Sequence, residues 1–213
     1  MKTALMSALV LFVSVTVGLG QSFRIGGHGA YFSDLKVTLS DDRGTFSYDS
    51  EWGYGAQLEG RFNKYFGIEL AGSFFNQEIK ETGYDDYFDE ELTVVAGLDN
   101  YVLLATLKFY LPVNDYFGFY FGGGAGYFIL DEYYKASSAS SVIEDEKGNV
   151  LKTWGYQGCV GAEVMLGKHF SLFGDYRYSR FDDIWRNAAN YGTEDVDVRY
   201  EFSFARVGVN VVF

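Results

Sequence analysis

Apolar and polar residues alternate with a period of two along most of this chain, which predicts β-strands with one apolar and one polar face. In the run 52–62, Trp52 and Leu58 share one face and Glu59 lies on the other. The clearest runs span residues 52–62, 66–74, 101–111, 117–127, 154–166 and 170–178. They come in pairs joined by short polar links, so each pair predicts a β-hairpin.

Two more strands are expected near the ends of the chain. Near the start, Phe23, Ile25 and Tyr31 are in phase and alternate with small or polar residues. Near the end, two apolar sets differ in phase by one residue: Tyr200, Phe202 and Phe204, then Val207, Val209, Val211 and Phe213. We expect a β-bulge near Ala205 to reconcile the two phases, because bulges are frequent in barrels. The pattern therefore predicts eight strands.

The connections between these strands alternate strictly between short and long. The short links lie at 63–65, 112–115 and 167–169, and the long ones at 34–50, 76–91, 129–153 and 182–197. An even-stranded transmembrane barrel has this arrangement, with short periplasmic turns at one rim and long extracellular loops at the other. The sequence thus predicts an all-β fold, an eight-stranded antiparallel up-and-down β-barrel.

The two faces of the strands distinguish a membrane barrel from a soluble one. A soluble eight-stranded barrel fills its interior with apolar residues, so it would have to expose the aromatic residues or bury the charges of this chain. Here the apolar faces carry Trp, Tyr and Phe near the strand ends, as the interface girdles of membrane barrels do. Each strand offers about 9 to 11 tilted residues, the length that crosses a bilayer. We therefore expect a transmembrane barrel with its apolar face outward.

The composition agrees with an all-β membrane protein. The chain contains 20 Phe, 18 Tyr and 26 Gly but a single Pro, a mixture that suits strands and turns. Its net charge of −12 argues against nucleic acid as a partner, because phosphate binding needs a basic surface. The single Cys excludes an intramolecular disulfide framework and a cysteine-based zinc cluster. We expect no cofactor and no metal site.

Residues 1–20 have the features of a secretory signal peptide. Met1 and Lys2 form a short positive start, residues 4–17 are apolar, and residues 18–20 offer a small-x-small cleavage site. The apolar run is shorter than the roughly 20 residues that a spanning helix needs. We expect cleavage before Gln21, which leaves residues 21–213 as the barrel domain.

The strand count, the turn at 167–169 with the strand 170–178, and the C-terminal segment 207–213 resemble the small eight-stranded outer-membrane barrels. These include the OmpX, opacity-protein and OmpA transmembrane-domain families, grouped as porin-like proteins. The resemblance implies a multi-pass protein in the outer membrane of a Gram-negative-type bacterium, in contact with lipids and lipopolysaccharide. The residues that resemble the signal read by the barrel assembly machinery are Val207, Val209, Val211 and Phe213.

The polar faces place a balanced set of charges in the lumen. Four carboxylates and five cations are expected there: Glu59, Glu69, Glu163 and Asp175, with Arg24, Arg61, Lys108, Arg177 and Arg206. Eight strands enclose a space that side chains nearly fill. Because unpaired charges in a tight lumen are costly, an interlocked salt-bridge plug is the favoured interpretation. An ion-conducting pore is the alternative.

Catalysis is not expected, although the outer-membrane barrels that this chain resembles include lipid A acyltransferases and deacylases. Such enzymes need a His beside an activated Ser or an equivalent acid-base set. His169 precedes Ser171 by two residues but lies in a short turn, and His28 is predicted mid-lumen with no Ser at matching height. Cys159 faces the lumen and is interpreted as a small filler.

The long loops hold most of the excess acid. The most acidic one contains Glu78, Glu81, Asp85, Asp86, Asp89, Glu90 and Glu91. Such residues keep a surface hydrated, but carboxylates also suit divalent cations that bridge to lipopolysaccharide phosphates. The interleaved aromatic residues suit an extracellular protein or glycan partner. We expect a non-enzymatic scaffold that displays these loops for adhesion or cation contact, with a narrow ion or small-solute channel as the alternative and a lipid A-modifying enzyme third.

Overall fold

The computed structural model describes residues 22–33, 35–39, 44–85, 90–138, 142–185 and 196–213. Ten β-strands account for nearly all of them. They are β1 (Ser22–Phe32), β2 (Leu35–Leu39), β3 (Gly44–Tyr48), β4 (Glu51–Arg61), β5 (Phe66–Asp85), β6 (Glu90–Pro112), β7 (Phe117–Ser138), β8 (Val142–Met165), β9 (Phe170–Trp185) and β10 (Val196–Val212). Over the same residues, no helix has the length and apolar character to cross a membrane.

Eight of these strands close into a barrel. Their order is β1-β4-β5-β6-β7-β8-β9-β10, each pair is antiparallel, and β1 returns to β10 with Arg24 opposite Val212 and Phe32 opposite Phe204. The predicted eight-stranded antiparallel barrel is confirmed. The three predicted tight turns also connect β4 to β5, β6 to β7 and β8 to β9. In the last of them Gly167 has φ of 95°, which glycine adopts without strain.

Side chains alternate between the barrel interior and the outer wall along every strand. On β6, Leu104 and Thr106 are buried whereas Leu103 and Leu107 are exposed. The outer wall is rich in exposed aromatic and aliphatic residues, and the charged residues Glu59, Glu69, Lys108, Glu163, Asp175, Arg177 and Arg206 are buried in the interior. This is the reverse of a soluble barrel and matches the arrangement that a lipid-facing wall requires.

Several strands are much longer than the apolar pattern predicts. Strand β8 has 24 residues and β6 has 23, against the roughly 9 to 11 that cross a bilayer. The connections predicted at 76–91 and 129–153 are therefore strand over much of their length, and that at 182–197 begins and ends with strand. Beyond the bilayer the outer face needs no apolar residues, so the alternation fades while the backbone pairing continues.

The connection predicted over 34–50 contains the hairpin β2–β3. Strand β2 pairs with the upper part of β10, where Lys36 lies opposite Glu201. Leu35 and Val37 are buried in the apolar core that fills this end of the barrel. The hairpin therefore extends the barrel wall at the long-loop rim and is fastened to it by packing as well as by backbone hydrogen bonds.

The bulge expected near Ala205 is wrong. The β9–β10 ladder runs in continuous register from Val196 to Val211, all of it within the described part of the chain. Tyr200, Phe202 and Phe204 consequently face the interior, on the same side as Arg206. The two apolar sets of β10 lie on opposite faces because the interior itself becomes apolar toward the long-loop rim.

Candidate functional site in the barrel interior

The nine charged residues that the sequence places in the lumen form one connected network. It occupies the half of the interior nearer the short turns. The exposed fraction of each side chain is at most 8 %, except for Arg61 at 15 %. The members are Arg24, Glu59, Arg61, Glu69, Lys108, Glu163, Asp175, Arg177 and Arg206.

The part of the network nearest the short turns is built around Glu163. Both Arg24 and Arg61 donate to its carboxylate. Arg61 also donates from Nε to Glu59 Oε1 at 2.8 Å, and its guanidinium lies 3.7 Å from the ring centroid of Tyr110. Two arginines thus share two carboxylates from different strands, which ties β1, β4 and β8 together.

A second cluster lies deeper in the barrel around Glu69 and Asp175. Arg177 Nη2 is 2.6 Å from Glu69 Oε1, and Arg206 Nη2 is 2.7 Å from Asp175 Oδ2 and 3.2 Å from Glu69. The Tyr120 hydroxyl donates to Asp175 at 3.0 Å. Each arginine therefore contacts both carboxylates, and the charges of all four groups are neutralised within the cluster.

Lys108 joins the two clusters. Its Nζ lies 3.0 Å from Glu59 Oε2 and 2.5 Å from Glu69 Oε2, and 4.5 Å from the ring centroid of Tyr120. Glu59 and Glu69 face each other in the β4–β5 ladder, so the ammonium group separates two carboxylates that would otherwise repel. A buried ion pair is stable only when its partners and hydrogen bonds are complete, and Lys108 completes this one.

Neutral polar side chains outside the predicted set are hydrogen-bonded in the same interior, and two of them contact Arg177. Gln57 Nε2 donates to Asn210 Oδ1 at 2.9 Å, and Arg177 Nη1 donates to Gln157 Oε1 at 3.1 Å and to Thr106 Oγ1 at 3.2 Å. All of these residues are buried. Each lies an even number of residues from a lumen charge on the same strand, so the alternation places it on the lumen face.

The half of the interior nearer the long loops contains aromatic rings instead of charges. Phe32 stacks on Phe75 with centroids 3.6 Å apart, and Phe128 stacks on Phe181 at 4.5 Å. Phe202 lies among them, with its ring centroid 5.7 to 6.4 Å from these four. Tyr200 and Phe204 add to this aromatic layer.

Glycine makes room for one of these rings. A Cβ on Gly126 would stand 2.6 Å from the ring of Phe128, two residues along the same strand. The ring therefore lies against bare backbone. At Gly126 the side chain that occupies the free space is thus an aromatic residue of the same strand.

This combination of a lipid-facing wall and a filled polar and aromatic interior fits a known family. A family model described as the outer membrane protein beta-barrel domain matches residues 5–213. The chain belongs to this outer-membrane β-barrel family. It is therefore an outer-membrane β-barrel protein, as the sequence predicted.

Solved structures agree with the fold of this outer-membrane barrel. OprG from Pseudomonas aeruginosa is 19 % identical with a TM-score of 0.59, over 91 % of this chain and 96 % of that chain. AlkL, determined by solid-state NMR in DMPC bilayers, is 14 % identical with a TM-score of 0.51, over 91 % of this chain and 90 % of that chain. At these identities the likeness concerns the fold alone. No curated protein matches the sequence significantly.

The C-terminal residues of the barrel lie on its lipid-facing wall. Val207, Val209, Val211 and Phe213 are all exposed there, and Phe213 is exposed to 70 %. Phe213 and Phe23 exchange backbone hydrogen bonds of 2.8 and 3.2 Å, which closes the barrel beside the short turns. Recognition of the C-terminal residues 207–213 by the assembly machinery stays a prediction.

The expectation that His28 has no Ser at matching height is wrong. His28 Nε2 lies 3.0 Å from Ser73 Oγ in the lumen. Among the described residues, however, His28 Nδ1 has no hydrogen-bond partner, so no acidic residue orients the ring as in a catalytic triad. Both side chains are only 6 % exposed, which leaves a substrate no access to them. Cys159 is buried in the lumen, where the sequence places it.

His169 and Ser171 are not brought together. His169 lies in the exposed turn, where its Nδ1 is 3.4 Å from the Val212 carbonyl oxygen. Ser171 is fully buried and accepts a hydrogen bond from Asn210 at 3.3 Å. The sequence motif therefore does not create a His–Ser pair.

Of the predicted acidic loop, Glu78 has a described environment. Its Oε1 accepts a hydrogen bond from the Tyr133 hydroxyl at 2.7 Å, and the Tyr133 ring crosses bare backbone at Gly97. Burial, reinforced by this hydrogen bond, raises the pKa of Tyr133 to about 12. Asp86 and Asp89 lie outside the described residues, and only the backbone is described for Glu81, Asp85, Glu90 and Glu91.

Proposed function

We propose that the protein is a sealed, non-enzymatic outer-membrane barrel that serves as a membrane scaffold and displays its long-loop rim. The observation that carries this proposal is the continuous filling of the interior by two layers in series. An ion that enters from the short-turn side meets the network centred on Lys108, and beyond it the aromatic layer around Phe202. Neither layer offers the hydration that ion conduction needs.

Single-channel recording tests the seal. The refolded wild-type protein in planar bilayers should give no steady conductance. The double variant Phe75→Ala, Phe202→Ala should also stay closed, because the charged layer remains intact. Adding Lys108→Ala should open both layers and produce conductance. The matched control replaces the outward-facing Phe74 and Phe121 by Ala, and a gel-mobility shift on heating verifies that each barrel has folded.

A steady wild-type conductance that Lys108→Ala or Glu163→Ala abolishes would support the narrow channel instead. In that outcome the charged residues would line a path for ions rather than close it. The double aromatic variant would then conduct more than the wild-type protein, since it removes a constriction.

The extended strands support the display role. Strands β5 to β8 have 20 to 24 residues each, so about half of each strand lies beyond the bilayer at the roughly 9 to 11 residues needed to cross it. The β5–β6 ladder continues as far as Asp85 and Glu90, so its paired backbone extends away from the membrane surface. Acidic residues at the end of this ladder would meet divalent cations, lipopolysaccharide phosphates or an extracellular protein or glycan.

Two loop variants separate charge from length in this role. One replaces residues 80–90 by a short Gly-Ser turn, and the other keeps the length but converts Glu81, Asp85, Asp86, Asp89, Glu90 and Glu91 to amides. Adhesion of cells to matrix-coated surfaces, with and without calcium, should fall in both. Loss in the first variant alone would assign the contact to loop shape. Unchanged adhesion in both would contradict the display role and leave the membrane scaffold.

A further inference from the structure

A pocket opens on the outer wall of the barrel, apart from the charged network of the interior. It lies where β1, β9 and β10 reach the long-loop rim beside β2, and its volume is about 540 Å³. Tyr31 and Tyr176 stand on its two sides, opposite Ala205 on either flank of β10. The outward-facing residues of β10 between the two rings are the small Ser203 and Ala205. The tyrosine rings therefore extend further from the wall than the residues between them.

Polar groups complete the upper end of this pocket. The Tyr31 hydroxyl donates to Ser50 Oγ at 2.8 Å, and the Tyr178 hydroxyl donates to Glu201 Oε1 at 2.7 Å. Lys36 faces outward on β2 and lines the pocket. It forms no ion pair with any described residue. Arg180 lies 3.5 Å from Asp182 and 3.9 Å from Glu201, so two carboxylates share it, and Lys36 is the cation that lines the pocket.

An apolar groove continues from the pocket toward the middle of the bilayer. Below Ala205 the next outward-facing residue of β10 is Val207, which has Gly29 on one side and Gly174 on the other. A Cβ on Gly29 would meet no atom within 4 Å, and one on Gly174 only the Arg206 carbonyl oxygen at 3.6 Å. The wall is thus recessed on both flanks of Val207, at a depth where acyl chains lie.

We propose that the pocket and groove together bind one phosphorylated glycolipid of the outer leaflet. A sugar ring would lie against Tyr176 and Tyr31, whose faces suit sugar rings and whose hydroxyls suit the interface. A phosphate would lie at Lys36, since an ammonium group binds phosphate as a point charge. One acyl chain would follow the groove beside Val207. The groove assigns the ligand to the membrane, because a soluble sugar phosphate has no use for it.

Native mass spectrometry of the full barrel released from phosphatidylcholine nanodiscs tests this assignment, with bisphosphorylated lipid A as the probe. The wild-type protein should retain one lipid A. Lys36→Glu should weaken retention about tenfold by removing the phosphate contact. Gly174→Leu, which fills the groove, should weaken it by a similar factor. The matched controls are Lys152→Glu on β8 and Gly158→Leu, another outward-facing glycine with open space above it.

Three results would overturn the proposal. Equal losses in the controls would show general attraction of a basic, smooth wall to lipid A. Equal retention of phosphatidylglycerol would show that the sugar headgroup is not recognised. Displacement of lipid A by water-soluble glucosamine 1-phosphate at equal concentration would assign the pocket to a solute. The experiment measures lipid binding to the outer wall, so its result is independent of whether the interior conducts ions.

Discussion

The two halves of the barrel interior are filled by different kinds of interaction. Near the short turns, Lys108 and the eight other charged residues of the network are held by directional contacts whose donors and acceptors must match. Near the long loops, Phe202 and its neighbours are held by packing, which has no such requirement. The charged half should therefore depend on the balance of charge, and the aromatic half on the volume that fills it.

The largest effect is expected from an isosteric change in the charged half. Glu69→Gln keeps the shape of the side chain but leaves Lys108, Arg177 and Arg206 with one carboxylate fewer. Removing one partner of a buried ion pair costs about 3–5 kcal/mol. We expect a loss of this size in the free energy of unfolding, measured by urea titration of the folded barrel in lipid vesicles. Glu201→Gln, at the partly exposed outer rim, is the control and should change little.

A second substitution tests whether the stability of the charged half depends on the balance of charge. Lys108→Met alone should destabilise the barrel by about 3 kcal/mol, because Glu59 and Glu69 lose the cation between them. In the Glu69→Gln background the same substitution should cost much less, since the missing carboxylate no longer needs it. Additive losses in this double-mutant cycle would contradict a shared network.

A near-isosteric apolar change in the aromatic half is expected to have a smaller effect than one in the charged half. Phe202→Ala leaves a cavity among Phe32, Phe75 and Phe128, and large-to-small core substitutions of this kind cost about 3 kcal/mol or more. Phe202→Leu refills most of it and should cost roughly 1.5 kcal/mol or less. The informative comparison is Phe202→Leu with Glu69→Gln, both near-isosteric. Equal losses in urea titration would remove the distinction between the two halves.

The sequence predicted the faces of the charged half well, because alternation of period two reports which side chains share a face. It could not predict that Lys108 stands between Glu59 and Glu69. That placement depends on the stagger between β4, β5 and β6, which a period does not contain. The wrong prediction of a bulge near Ala205 has a similar origin. An apolar run inside the barrel, such as that of Phe202 and Phe204, has the same pattern as one that faces lipid.

The strand extensions were missed for a related reason. At Gly97 and Tyr133 the pairing of β6 with β7 continues well beyond the membrane, yet neither face there is uniformly apolar. Hydrophobic alternation reports a difference of environment between two faces. Where both faces meet water, strands leave no such signal, and the pattern resembles a loop.

The smallest expected effect concerns this extension, outside both halves of the interior. Tyr133→Phe keeps the ring over Gly97 but removes the hydrogen bond donated to Glu78 and the one accepted from Asn76, at a cost of about 1 kcal/mol. The pKa of Tyr133, raised to about 12, gives the pH dependence its sign. The raised value means that folding favours the protonated phenol, so this contribution is complete below the ordinary tyrosine pKa of about 10 and is lost as pH rises toward 12. The difference between wild-type and Tyr133→Phe stability should therefore shrink between these values, and a difference that stays constant would show that the hydrogen bond does not stabilise the rim.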